Sequence, residues 1–98
     1  MITHVVLMKF KAQDKAQNLA RAREQLLAMT GRIESLRNIE VGLNAVASER
    51  ACDLALITRF DDMQGLSSYA THPVHVAVKS FLQTVLEASF VVDYATAE

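Results

Sequence analysis

The sequence predicts an α+β fold, a ferredoxin-like β-α-β-β-α-β sandwich. Three observations carry that expectation. Four stretches rich in branched residues read as strands. The regions between them repeat apolar residues at steps of three and four, the helical period. Their order places both helical layers on one face of a single antiparallel sheet. The chain has 98 residues, so one domain spanning 1–98 is expected.

The first strand is Ile2 to Phe10, with Ile2, His4, Val6, Met8 and Phe10 on one side and Thr3, Val5, Leu7 and Lys9 on the other. A helix is expected from Asp14 to about Thr30. Its stripe is Leu19, Ala22, Leu26, Met29 and Ile33, Asp14 is its expected N-cap, and Gly31 loosens or ends it. Asn38 to Val46 reads as the second strand, Ala47 to Cys52 as a polar turn, and Asp53 to Phe60 as the third strand. Asp61 to Thr71 reads as a short helical piece capped by Asp61 or Asp62. Pro73 disfavours helical geometry at His72 yet suits a first helical position. A break at His72 and a new helix from Pro73 to about Glu87 follow, with Val74, Val78, Phe81 and Val85 as its stripe and Leu82 and Leu86 alongside. Ala88 to Tyr94 is the last strand. Met8, Met29 and Met63 read as gap-fillers, and Lys9, Lys11, Arg21 and Arg23 as solvated charges.

Two helices cover one face of such a sheet, yet these strands are apolar on both. Val5, Leu7, Ala55, Ile57 and Val91 are read with one parity, and Val6, Met8, Leu56 and Val92 with the other. An antiparallel sheet with one wet face alternates more cleanly, and a large exposed apolar patch marks an interface. A homodimer through the sheet face, closing a barrel, is therefore expected.

Composition narrows the function classes. Hydrophobic residues make up 51% and charged residues 21%, an ordinary globular mix, and the formal net charge is −1. Scattered lysines and arginines argue against nucleic acid as a partner. No apolar run has the length of a membrane span, so no membrane partner is expected. The N-terminal MITHVVLMKFK reads as a strand rather than a leader. The single cysteine, Cys52, cannot form an intrachain disulfide. A cytoplasmic protein is the expectation.

The chemistry-bearing residues gather in one stretch, SSYATHPVHVAVKSF. It holds Tyr69, His72 and His75 around the only proline, Pro73; elsewhere there is one histidine, His4, and one tyrosine, Tyr94. His75 falls near the third position of the helix that Pro73 opens. Unpaired N–H groups and the positive end of the helix dipole lie there, which favours a neutral imidazole able to act as a base. The Tyr69 hydroxyl, across the break, is suited to hold a carbonyl or enolate oxygen. His4 shares its strand side with Val6 and Met8. If that side faces the helices, His4, Val6, Met8, Leu26, Tyr69, His75 and Val78 line one ligand site. The alternatives are that His4 is a satisfied core or edge histidine and that Tyr69 is simply core. His72 and Pro73 are read as structural, a joint at the helix break. Asp93 and Tyr94 are assigned to packing or to the dimer seam. Three separate histidines without a Gly-rich loop or a carboxylate cluster give no metal site and no cofactor.

The segments HVVLMKFK, IEVGLN, SYATHPVHV and FVVDY together resemble the stress-responsive A/B barrel (Dabb) family over nearly the whole chain, with Y-x-x-H-P-x-H the most specific element. The resemblance implies a dimeric α+β barrel. Its members include plant stress proteins and a plant polyketide cyclase, which closes a ring by an aldol reaction with the tyrosine and the second histidine of the motif. Those positions are Tyr69 and His75 here. The chain departs from the cyclase at Leu54, where the cyclase has a histidine, and at Ala22, Arg23 and Leu26, where it has pocket aromatics. It departs again at Lys79, where the cyclase has glycine. The expected function is a dimeric protein binding a small, largely apolar carbonyl compound beside His75 and Tyr69, with proton transfer or cyclisation as its chemistry. The alternatives are a non-enzymatic stress-responsive oligomer and a cofactor-free monooxygenase of the dimeric barrel class.

Overall fold

The computed structural model describes residues 1–97. Strand β1 is Ile2–Phe10, helix α1 Lys15–Leu27, β2 Asn38–Leu43, β3 Leu54–Phe60, α2 Met63–Ala70, α3 Pro73–Val85 and β4 Leu86–Ala95. The strands form one sheet in the order β2-β3-β1-β4, and every neighbouring pair is antiparallel. This is the expected ferredoxin-like sandwich.

Strand register sorts the two faces. His4, Val6 and Met8 stand opposite Thr58, Leu56 and Leu54 of β3. With Phe10 and Phe60 they form the side covered by the helices. Met8, Phe10, Leu54, Leu56 and Phe60 join Ala22, Leu26, Met29, Ile33, Tyr69, Val78, Leu82 and Val85 in one core. Each large side chain fully withdrawn from water contributes about 1.5–3 kcal/mol, so this cluster is what holds the helices on the sheet. At Gly65 a Cβ would lie 3.3 Å from the Cβ of Phe60, so the missing side chain lets α2 approach β3 closely.

Several sequence expectations are corrected. Asp14 precedes α1 but makes no side-chain cap: its φ of 53° is left-handed, and its backbone carbonyl accepts from the Asn18 N–H. Helix α1 ends at Leu27 and continues only as turns toward Gly31. Strand β2 stops at Leu43, because the Asn44 side-chain amide donates to the Val46 carbonyl and turns the chain. Helix α3 ends at Val85, and β4 begins at once. Leu86 is extended, its N–H closes the helix on the Leu82 carbonyl, and it pairs with Phe10. No glycine or proline marks that junction in the sequence.

The parity of β4 is also reversed. Val91 stands opposite Val6 on the helix side, and Val92 stands opposite Val5 on the outer side. A strand apolar on both faces carries no internal mark of which face is which; pairing to β1 sets it. Met63 is exposed rather than a gap-filler, since it sits at the first turn of α2. Arg21 is not simply solvated: its guanidinium lies 4.3 Å from the centre of the Phe81 ring, a cation–π contact.

The start of α2 is held by Asp62, whose Oδ1 accepts from the Gly65 N–H at 2.8 Å. Asp62→Ala is expected to cost about 1 kcal/mol. A lower denaturant midpoint at an unchanged slope checks this.

Candidate functional site

The break between α2 and α3 builds the site. His72 is extended, with its Nδ1 accepting from the Val74 N–H at 3.1 Å, and Pro73 opens α3. The His72 N–H in turn donates to the Tyr69 carbonyl. The joint therefore ties the end of one helix to the start of the next, and it brings Tyr69 and His75 side by side. Their ring centres lie 4.2 Å apart. Phe60 supports Tyr69 from the sheet at 5.0 Å, and His4 meets Tyr69 edge-on at 6.2 Å.

These three polar residues line one cavity of about 400 Å³ between the sheet and helices α2 and α3, within the usual size of a small-molecule site. Val6, Met8, Leu26 and Val78 line it as well, and Leu56, Leu66, Leu82 and Val91 extend its apolar wall. His72 and Pro73 do not line it. Lys79, Gln83 and Ser89 add a polar rim. Leu54 and Ala22, two points of departure from the cyclase, are buried in the core and are not in the wall.

Tyr69 is 1% exposed, and its hydroxyl has no hydrogen-bond partner among the described residues. Burial pushes its pKa up to about 12, so the phenol stays protonated and remains a donor at neutral pH. A buried hydroxyl without an acceptor costs about 1–3 kcal/mol. Tyr69→Phe is therefore expected to raise the unfolding free energy of the ligand-free protein by about 1 kcal/mol. Denaturant melts of the two proteins check it.

His75 Nδ1 lies 3.1 Å from the Ala70 carbonyl oxygen. That oxygen only accepts, so Nδ1 carries the proton and Nε2 keeps its lone pair. The His75 pKa is lowered, chiefly because burial disfavours the charged ring; the Ala70 bond opposes this, and the positive charge of Lys79 adds to it. Partial burial is thus the main cause of the lowering, where the sequence pointed to the helix end.

The sequence reading missed the partner of His4. His4 Nδ1 donates to the Asp93 carboxylate of the adjacent strand. The signal that finds it is register: His4 and Asp93 become opposite neighbours only once Val6 is paired with Val91. Among the described residues there is no group of three metal-ligating side chains and no helix long and apolar enough to cross a membrane.

A sequence comparison with curated proteins finds no match. Among solved structures, the chain is similar to a dimeric protein with a ferredoxin-like fold from Bacteroides fragilis. The two share 32% identity over 97% of this chain and 95% of that one, with a TM-score of 0.87. It is also similar to a Dabb family protein from Mesorhizobium loti, at 20% identity, coverage of 99% and 97%, and a TM-score of 0.81. A hydroxynitrile lyase from Passiflora edulis superposes with a TM-score of 0.87 at 12% identity, covering 99% of this chain and 94% of that one. At the lower two identities the likeness is one of fold. The model of the stress responsive A/B barrel domain matches residues 2–96, nearly the whole chain, and the protein belongs to that family.

Proposed function

We propose that this protein is a homodimer that binds a small, largely apolar carbonyl compound in the cavity beside His75 and Tyr69 and catalyses proton transfer next to the carbonyl. The observation that carries the reading is the Tyr69 hydroxyl, protonated, buried and without an acceptor among the described residues, on a ring that packs at a tilt against a histidine whose Nε2 lone pair is free of the Ala70 bond. A ligand carbonyl supplies the acceptor that the hydroxyl lacks. His75 Nε2 takes a proton from the carbon alpha to that carbonyl, and the electron pair moves onto the oxygen. Tyr69 donates its hydrogen bond to the resulting enolate. Return of the proton to the same or another carbon gives exchange or isomerisation. Attack of the enolate carbon on a second carbonyl of the same ligand closes a ring: the π pair of that carbonyl moves to its oxygen, which takes back the proton held by His75. The apolar wall selects the body of the ligand, and a cytoplasmic setting keeps Cys52 a thiol.

The test is solvent deuterium incorporation alpha to the carbonyl of aryl and alkyl ketones and β-keto thioesters, followed by NMR. Incorporation above the buffer rate that Tyr69→Phe lowers by about a hundredfold supports the reading. No incorporation, together with no thermal shift from any member of the panel, leaves a non-enzymatic oligomer. Oxygen consumption with a hydroquinone instead moves the cavity to the cofactor-free monooxygenase class.

A further inference from the structure

Lys79 lies in the cavity wall, and no ion pair engages it among the described residues. The other cavity residues carry no permanent charge. Its position along the cavity follows from the topology. Leu86, just after α3, pairs with Phe10 at one end of β1, whereas His75 adjoins Tyr69 beside His4 at the other end. Helix α3 therefore runs along β1, and His75, Lys79 and Gln83 follow one another at successive turns over the cavity. Four residues advance about 6 Å along a helix. The backbone of Lys79 thus stands about 6 Å beyond that of the proposed base, on the rim of a largely apolar cavity.

We infer that the ligand is an oxo acid: an apolar carbonyl compound with a carboxylate placed several bonds from the reacting carbonyl, and that Lys79 receives the carboxylate. This rests on the carbonyl-binding reading above and adds its substrate class. A neutral ketone makes no use of the charge of Lys79, which is exposed. A carboxylate about four bonds from the carbonyl spans the turn between His75 and Lys79, and the carbonyl then stays at Tyr69. The lysine lowers the His75 pKa through its charge, so an anion seated on it also weakens that depression and strengthens the base when substrate is bound.

The probe pair is 5-oxo-5-phenylpentanoate and its methyl ester, which share the carbonyl and the apolar body and differ in charge. Calorimetric affinities are measured for the wild type, Lys79→Met and Lys79→Glu at low and high salt. The wild type is expected to prefer the acid by about fivefold at low salt, the size of a solvent-accessible ion pair, with the preference shrinking as salt screens it. Lys79→Met should bind both equally, and Lys79→Glu should prefer the ester. Equal binding of acid and ester by the wild type, or a preference that survives in Lys79→Met, overturns the assignment of Lys79 while leaving the carbonyl site standing. Binding of neither probe overturns both.

Discussion

His75→Ala is expected to lower deuterium incorporation into a bound ketone by two to four orders of magnitude, the usual contribution of a positioned general base, about 10²–10⁴. The side chain is half-buried on the surface of α3, so the fold should tolerate its loss, and an unchanged denaturation curve serves as the control. The pH profile separates a base from a structural ring. The reactive form is the neutral imidazole, so the rate rises with pH as His75 loses its proton. Because burial and Lys79 lower the pKa, that rise should be centred below 6.5, the ordinary histidine value. Removing the charge in Lys79→Met should move it upward toward 6.5. A rate independent of pH through this region, or one that persists in His75→Ala, would assign the proton transfer elsewhere.

The same shift acts on stability. In the unfolded chain the histidine takes up its proton as pH falls through about 6.5; in the folded chain it resists until lower pH. Between those two points the unfolded state binds more protons, so stability rises with pH. The contribution is present above 6.5 and is lost as pH falls through the folded value. His75→Gln, which cannot titrate, should flatten that part of the curve.

The elements were legible because their signals are local. Pro73 marks a helix start, Asp62 caps its helix from one residue before it, and the stripe of α1, stepping by three and four, needs no partner to be seen. The errors of face and of partner fall where a fact depends on another strand. Whether Val91 or Val92 faces the helices is decided only by the pairing of β4 to β1. The same pairing makes Asp93, expected to serve packing or the dimer seam, the partner of His4. The site was half legible for the same reason. Tyr69 and His75 are near in sequence and stand out by type. Lys79 is an ordinary helix lysine until the topology sets it over the cavity.

Phe90→Glu combined with Val92→Glu is expected to convert the proposed homodimer to a monomer, seen as a halved mass in sedimentation at micromolar concentration. The outer face of the sheet presents Leu7 beside Phe90 and Val5 between Ile57 and Val92. Phe90 and Val92 are 57% and 54% exposed in the single chain, and Leu7 is 41% exposed. Glu40, Arg59 and Lys9 stand on the same face around this stripe, an apolar centre with a charged rim. A two-fold pairing sets the stripe against its own copy, so each substitution buries a carboxylate twice. Stranding a buried charge costs several kcal/mol, enough to weaken the dimer by about three orders of magnitude or more. Both positions face water in the monomer, so the fold itself should survive. Val46→Glu, in the loop after β2 and 73% exposed, should leave the mass unchanged. A wild type that sediments as a monomer, or a double variant that stays dimeric, removes the sheet face as the interface. Strand β4 also links this face to the cavity: Phe90 and Val92 alternate with Ser89, Val91 and Asp93, and β4 lies at the edge of the sheet. A partner packed on one side of β4 therefore steadies the cavity wall on the other. Ketone affinity should accordingly fall in the double variant together with the mass, and in the wild type it should fall on dilution below the dimer dissociation constant.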